Sequence, residues 1–384
     1  MQRRRVLMHG AGWLGAASLG IWPQAGQSQQ VPGVKGQSIV LGQSAAFSGP
    51  AEQLGLQYYL GAKLCFDSLN AQGGVQGHLI EIKRLDDATE PERCVANTRS
   101  FIQDGVFALF GYVGTPTSLA ALPLATAEKM PFFAPSTGAD ALREPFNRYV
   151  FHLRASYADE TAAIVRQLAS VGVKRIAVFY QDDAYGKSIL AGFEEALKGL
   201  QLTPVALGKV ERNSTDVGAA LDTILAANPE AIVQVSSYKS CAAFVRSARR
   251  RGYKRNFYNV SFVGTQALSD ELGVEARGVV VSQVMPFPYS SLLPIAAEYQ
   301  SLLKGKRGIS PNYSGMEGFV AAKVFAEGVR RAGSNLSRES FIDAVSGMRK
   351  VNMGGFQLDF GPQQRVGSSF VEMTVLTEDG KVRR

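Results

Sequence analysis

The residues with chemical capability gather in short polar loops, and their kinds point to binding. Segments 44–54, 111–118, 134–139, 181–186, 236–239 and 259–264 are rich in Ser, Thr, Gly and Tyr and poor in histidine or paired carboxylates. Hydroxyls, backbone N–H groups and aromatic faces hold a ligand, whereas proton transfer at neutral pH needs a titratable group tuned to it. In Gly114-Thr115-Pro116-Thr117-Ser118, Thr115 is expected to cap a helix with Pro116 in its first position, leaving N–H groups and hydroxyls that suit a carboxylate. An ordinary capped helix explains the same motif, and the motif alone favours it.

Other motifs fail on their context. Gly186-Lys187-Ser188 has the tail of a phosphate-binding loop, but the leading glycine falls on Gln181. Ser236-Ser237-Tyr238-Lys239 fits SxxK without the Lys-Thr-Gly and Ser-Asp-Asn elements of a serine acyltransferase. Gly10-Ala11-Gly12-Trp13-Leu14-Gly15 matches the dinucleotide fingerprint with no strand before it. Arg246, Arg249, Arg250, Arg251, Lys254 and Arg255 close a predicted helix, where cations complement its dipole; a solvated face is the default and a docking surface the alternative.

The elements that position these loops alternate between aliphatic runs and stretches of helical period, the pattern of an α/β fold with parallel sheets. Strands are expected at Ile39–Gln43, Leu79–Leu85, Val106–Phe110, Arg175–Tyr180, Ala231–Val235 and Gly278–Gln283. Helices from about Glu52 and Ala184 carry apolar stripes at Tyr58, Ala62, Cys65, Phe66 and Leu69, and at Ile189, Phe193, Ala196, Leu197 and Leu200. Strand, polar loop and helix at 39–70 recur at 175–200, so two similar α/β lobes are expected. After Met285-Pro286-Phe287-Pro288, about 60 helical residues precede closing strands at Phe356–Phe360 and Phe370–Leu376. In open parallel sheets the ligand crevice lies beyond the carboxyl ends of the strands, where the loops named above fall.

Composition narrows the classes. The 384 residues are 46% apolar and 19% charged, enough for a large core. The net charge of +8 includes Arg3, Arg4 and Arg5; without them it is +5, a solubility feature and not a nucleic-acid signature. Three His (His9, His78, His152) and three Cys (Cys65, Cys94, Cys241) show no close ligand spacing, so neither a metal site nor a cofactor is expected. Residues 1–28 have the basic start, apolar stretch and polar end of a cleaved export signal, twin-arginine or ordinary secretory, with no lipid-anchoring Cys at its end. No apolar run after residue 30 is long enough to span a bilayer, so no membrane insertion is expected.

Ser48-Gly49-Pro50, the run Asn70-Ala71-Gln72-Gly73-Gly74-Val75-Gln76-Gly77, Asp86-Asp87, Gly111 to Ser118, and Asp183-Ala184-Tyr185-Gly186 together resemble the type I periplasmic binding proteins of the leucine/isoleucine/valine-binding family. The likeness covers nearly the whole chain after the signal, and the Asn-Ala-x-Gly-Gly-Val-x-Gly run is its most specific piece. The resemblance implies two Rossmann-like lobes joined by three crossovers, with the ligand in the cleft between them. The expected division is 37–155 with 288–350 in one lobe and 156–284 with 354–384 in the other.

By the same resemblance, Thr115 matches a hydroxyl ligand, Ser136, Thr137 and Gly138 a segment that contacts a carboxylate, and Tyr185 and Tyr238 aromatics that cover the ligand. Leu54 replaces a Tyr common in amino-acid binders. Ser261 aligns with the acid that pairs with a ligand ammonium, which puts an α-amino-acid ligand in doubt unless Asp182, Asp183 or Glu317 supplies the charge. The implied function is non-enzymatic: a periplasmic protein that captures a small organic solute, an amino acid or a related carboxylate or amide, and delivers it to the permease subunits of an ABC importer. A ligand-sensing receptor or regulator of the same fold is the alternative. The implied topology puts Cys65 and Cys94 on opposite faces of one sheet and Cys241 in the other lobe, so all three are expected to stay reduced.

Overall fold

The computed structural model describes residues 32–306 and 308–384. The expected signal at 1–28 and the Gly10–Gly15 motif lie outside the described residues.

The first sheet is built from β1 (Val34–Lys35), β2 (Ser38–Ala45), β3 (Leu79–Asp86), β4 (Ala108–Phe110), β5 (Phe132–Phe133) and β6 (Val150–Phe151). Its parallel strands run in the order β3-β2-β4-β5-β6, with β1 antiparallel to β2. Edge strand β3 exposes Glu81, Lys83 and Arg84, charges that discourage pairing with another chain. Helices α1 (Glu52–Asn70), α2 (Pro91–Gln103) and α3 (Thr115–Ala127) connect the strands.

The chain then crosses through α4 (Tyr157–Ser170) into a second sheet. It holds β7 (Ile176–Gln181), β8 (Ala206–Val210), β9 (Ala231–Val235), β10 (Phe257–Asn259) and β11 (Val279–Gln283), all parallel, with α5 (Ala184–Lys198), α6 (Gly218–Ala226), α7 (Tyr238–Arg250) and α8 (Thr265–Leu272) between them. β9 is buried at every residue, Gln234 included, which is why its apolar residues show no alternation.

A second crossing leads to α9 (Pro294–Leu303), α10 (Tyr313–Ala332) and α11 (Arg338–Ser346), the helical stretch expected from the sequence. A third crossing carries a small ladder, β12 (Val351–Asn352) with β13 (Gln357–Leu358), before β14 (Glu372–Leu376) and β15 (Val382–Arg383) finish the second sheet in antiparallel sense. The sheet order there is β15-β14-β11-β10-β9-β7-β8. The closing strand expected at Phe356–Phe360 is therefore only the two-residue β13, which follows the positive-φ pair Gly354-Gly355.

α10 lies against α1 because glycines let the backbones touch: a Cβ on Gly61 would come within 1.8 Å of the Gly315 carbonyl, and one on Gly318 within 2.0 Å of that of Tyr58. Beneath them Phe66, Phe107, Phe110, Phe133, Phe325 and Phe341 interlock with ring centroids 4.7–6.2 Å apart. The three cysteines are free and buried, and burial pushes each thiol up to about 12. Cys65 packs in the core beneath α1, and Cys94 in the separate cluster beneath α2 and α3.

Candidate functional site

The loops after β4 and β5 form the first wall of the site. The structure corrects the expected cap: Gly114, at a φ of +114° that favours glycine, precedes the helix, and Thr115 is its first residue. Thr115 Oγ1 is instead 2.7 Å from Thr137 Oγ1, and both residues are buried. The Tyr157 hydroxyl lies beside this pair without a hydrogen bond of ordinary geometry. Gly138 makes room for Tyr157, since a Cβ there would sit 2.6 Å from its ring, and the Tyr157 N–H donates to the Gly138 carbonyl at 2.8 Å.

The second wall is aromatic. Asp183 caps α5 by accepting from the N–H groups of Tyr185 (2.9 Å) and Gly186 (3.3 Å), which sets the Tyr185 ring at the start of the helix. That ring packs against Tyr157 at 5.7 Å and Phe262 at 4.8 Å. Burial raises both tyrosine pKa values above the ordinary one, so the hydroxyls stay protonated. Tyr238 is also buried but stands apart, opposite Gln53 at the start of α1. The structure thus brings Thr115, Ser136, Thr137, Gly138, Tyr185 and Ser261 around Tyr157 and the residue that follows next, while Tyr238 takes a separate place between the lobes.

That residue is Arg154, 1% exposed, in the first crossing. Its Nη1 donates to Ser136 Oγ at 3.2 Å and pairs with Glu317 of α10 at 3.4 Å; its Nη2 pairs with Glu160 of α4 at 3.3 Å and bonds Ser261 Oγ. Glu160 further accepts from Ser261 N (2.8 Å), Ser261 Oγ (3.0 Å) and Ser282 Oγ (2.6 Å). Burial opposes the charge on Arg154, but Glu317 and then Glu160 outweigh it and raise its pKa. Burial raises Glu317 above the usual carboxylate range, with Arg154 opposing.

Sequence reasoning missed Arg154, Glu160 and Tyr157, since it places only the boundary between the lobes at 155/156 and no ligand contact there. A signal was present: an arginine inside the apolar run Phe151-His152-Leu153-Arg154-Ala155 cannot be buried without partners. The inference of a missing acid at Ser261 is corrected, because Glu160 reaches that serine from α4. Of the acids weighed as substitutes, Glu317 joins the cluster, Asp182 pairs with Lys187 (3.0 Å) and Lys209 (2.7 Å), and Asp183 caps α5.

Gly186 and Arg246, from two of the other motifs, have structural roles. Gly186 is required because a Cβ would fall 1.9 Å from the Gln181 carbonyl. Arg246, from the basic cluster, is committed to Glu271 (3.2 Å) and Glu275 (3.1 Å). No group of His, Cys, Asp and Glu suited to a metal occurs among the described residues, and none of their helices is long and apolar enough to cross a membrane.

A groove of about 620 Å³ opens from Thr115 between α3, α4 and α5, lined by Leu119, Ala139, Ala158, Ala162 and Ala191. At the rim the lobes also meet directly. Arg212 Nη2 pairs with Glu90 at 2.9 Å, Asn213 Nδ2 donates to Glu90 at 2.9 Å, and Thr89 Oγ1 donates to Asn213 Oδ1 at 2.9 Å.

Comparison with known proteins agrees with this fold. The family model described as periplasmic binding protein matches residues 38–381. The chain is 26% identical to the Leu/Ile/Val-binding protein homolog 7 of Brucella abortus, over 90% of each chain. Among solved structures, a possible leucine/isoleucine/valine-binding protein of Rhodopirellula baltica is 32% identical with a TM-score of 0.87, covering 93% of this chain and 97% of that one. A substrate-binding periplasmic protein of Ralstonia solanacearum is 35% identical with a TM-score of 0.85, covering 90% and 99%. With its two mostly parallel sheets, three crossings and matching sequence over nearly all its described length, the chain belongs to the periplasmic binding protein family.

Proposed function

We propose that this chain is a periplasmic solute-binding subunit that captures a small organic solute, an amino acid or a related carboxylate or amide, between its lobes and hands it to the permease subunits of an ABC importer. The observation that supports this most is a set of buried hydroxyls without partners, on Ser118, Tyr157 and Tyr185, where the carboxyl ends of both sheets face each other. Buried polar groups are nearly always satisfied, so unpartnered ones in a crevice suit a bound molecule. Thr115, Ser136, Thr137, Gly138, Tyr185, Tyr238 and Ser261 are the proposed ligand-binding residues. A solute touching both walls favours the closed arrangement by its differential affinity, and that arrangement is what a permease would recognise.

Native mass spectrometry of protein purified from the periplasm of its own host tests this. A one-to-one adduct of a small molecule is expected, weakened by Tyr185→Ala. Absence of any adduct, together with no thermal shift across a panel of amino acids, carboxylates and amides, would overturn it.

A further inference from the structure

We propose that Arg154 takes the place of a ligand cation, so that the cleft accepts a carboxylate solute without an ammonium group and Arg154 sets that choice. This rests on the solute-binding function proposed above and names the class of solute.

The argument is a count of donors and acceptors. A carboxylate offers about four lone-pair sites. Glu160 has filled its own with Arg154 Nη2, Ser261 N, Ser261 Oγ and Ser282 Oγ, and Glu317 faces Arg154 Nη1 with both oxygens, at 3.5 and 3.4 Å. The two acids that could hold a ligand ammonium are therefore engaged by the protein's own cation. An ammonium placed here would meet a fixed guanidinium and compete for acceptors already in use.

Donor groups around Arg154 and Tyr157 remain unspent, and the hydroxyls among them can also accept. Arg154 Nε–H and the hydroxyls of Ser118, Tyr157 and Tyr185 are buried and without partners. Arg154 Cζ stands 5.9 Å from the centre of the Tyr157 ring, and Tyr157 in turn packs on Tyr185, so three of these four donors lie in adjoining side chains. Donors in excess call for an acceptor-rich group, and a carboxylate is the small organic group that offers most acceptors. The groove that opens from Thr115 is lined mostly by alanines, with Asp140, Ser188 and Glu195 also in its lining, and would take an apolar body. Glu317, raised by burial, can take up a proton when a second negative charge arrives.

The test is calorimetry at neutral pH with two matched pairs, phenylalanine against 3-phenylpropanoate and leucine against 4-methylpentanoate. The acid of at least one pair should bind about tenfold or more tighter than its amino acid, the worth of one charge-assisted hydrogen bond. Tyr157→Phe, which keeps the ring and removes one donor, should weaken that acid by about tenfold. Arg154→Met should move the ratio toward the amino acid; if that variant does not fold, the matched pairs and Tyr157→Phe decide alone. Tighter binding of the amino acids, no binding of either acid, or an unchanged affinity in Tyr157→Phe would overturn the proposal. An amine-bearing molecule released from the native protein would overturn it too while leaving solute capture intact.

Discussion

The lobes meet at two places built on opposite principles. In the interior, Arg154 joins Ser136 and Glu317 of the first lobe to Glu160 and Ser261 of the second, and Arg154 and Glu160 are almost wholly removed from water. At the rim, Glu90, Thr89 and Ala88 of the first lobe meet Arg212 and Asn213 of the second, with the ion pair partly exposed. Buried charges are costly to leave unpaired, whereas an exposed pair is screened and worth little. The inner junction can therefore fix geometry and ligand choice, and the outer one can tune how readily the lobes part.

Arg154→Ala leaves Glu160 and Glu317 buried without their cation and should cost about 3–5 kcal/mol of stability, read by urea unfolding. Adding Glu317→Gln should recover part of the loss, because one buried charge is then gone. If Arg154→Ala were no more damaging than a surface substitution, the interior cluster would not be the electrostatic anchor described.

Next in size is the aromatic wall. Tyr185→Ala should cost about 2–4 kcal/mol in solute affinity, by analogy with buried aromatic anchors at interfaces. Because the ring is buried against Tyr157 and Phe262, the same change should also lower the thermal midpoint without ligand, so the affinity is compared at a temperature where the variant is folded. Calorimetry showing full affinity would remove Tyr185 from the site.

Beneath the rim, Asp87 provides a pH readout. It is buried, and burial raises its carboxyl to about 6 despite hydrogen bonds from Ser44 Oγ (2.7 Å) and Thr89 N (2.9 Å); Asp86 adds to the rise and Arg93 opposes it. A carboxyl raised in the folded state holds a proton that the unfolded chain has already released. Its contribution is present below about pH 4 and lost as pH rises through about 6, so stability should fall across that window by about 3 kcal/mol. Asp87→Asn should flatten this part of the profile in urea titrations between pH 4 and 7. An identical slope in the variant would mean that Asp87 does not titrate there.

What could be read from the sequence follows from how each feature is encoded. β2, β9 and α1 carry enough apolar residues, clustered in the strands and at helical spacing in α1, to stand out. β5, β6 and β10 are two or three residues long, too short to show either, and were not found. Thr115, Ser136, Thr137 and Tyr185 could be singled out because they follow strands in marked loops, whereas Tyr157 could not. Arg154 and Glu160 were not legible, because they come from a crossing and a helix that meet only in the folded chain, and Glu317 stood out only as one of three acids able to supply a missing charge. Ser261 shows the risk of judging one aligned position alone: the charge it lacks arrives from α4, about a hundred residues earlier in the chain.

The smallest expected effect concerns the rim itself. Ala88, Thr89 and Asn213 all adopt positive φ, 48°, 64° and 61°, and the Asn213 side chain bonds the Thr89 hydroxyl, the Ala88 carbonyl (3.3 Å) and Glu90. Left-handed backbone at Ala and Thr is costly and persists only where surrounding contacts hold it. Glu90 precedes α2 yet makes no capping bond with its side chain, which reaches across to Arg212 and Asn213 instead. Arg212→Ala should cost only about 0.5–1 kcal/mol, because the pair is partly exposed, and that cost should shrink as salt is raised. The expected signature is a faster solute off-rate in stopped-flow fluorescence, with the on-rate and the unfolding midpoint nearly unchanged. A salt-insensitive loss as large as that of Arg154→Ala would erase the distinction between the two junctions.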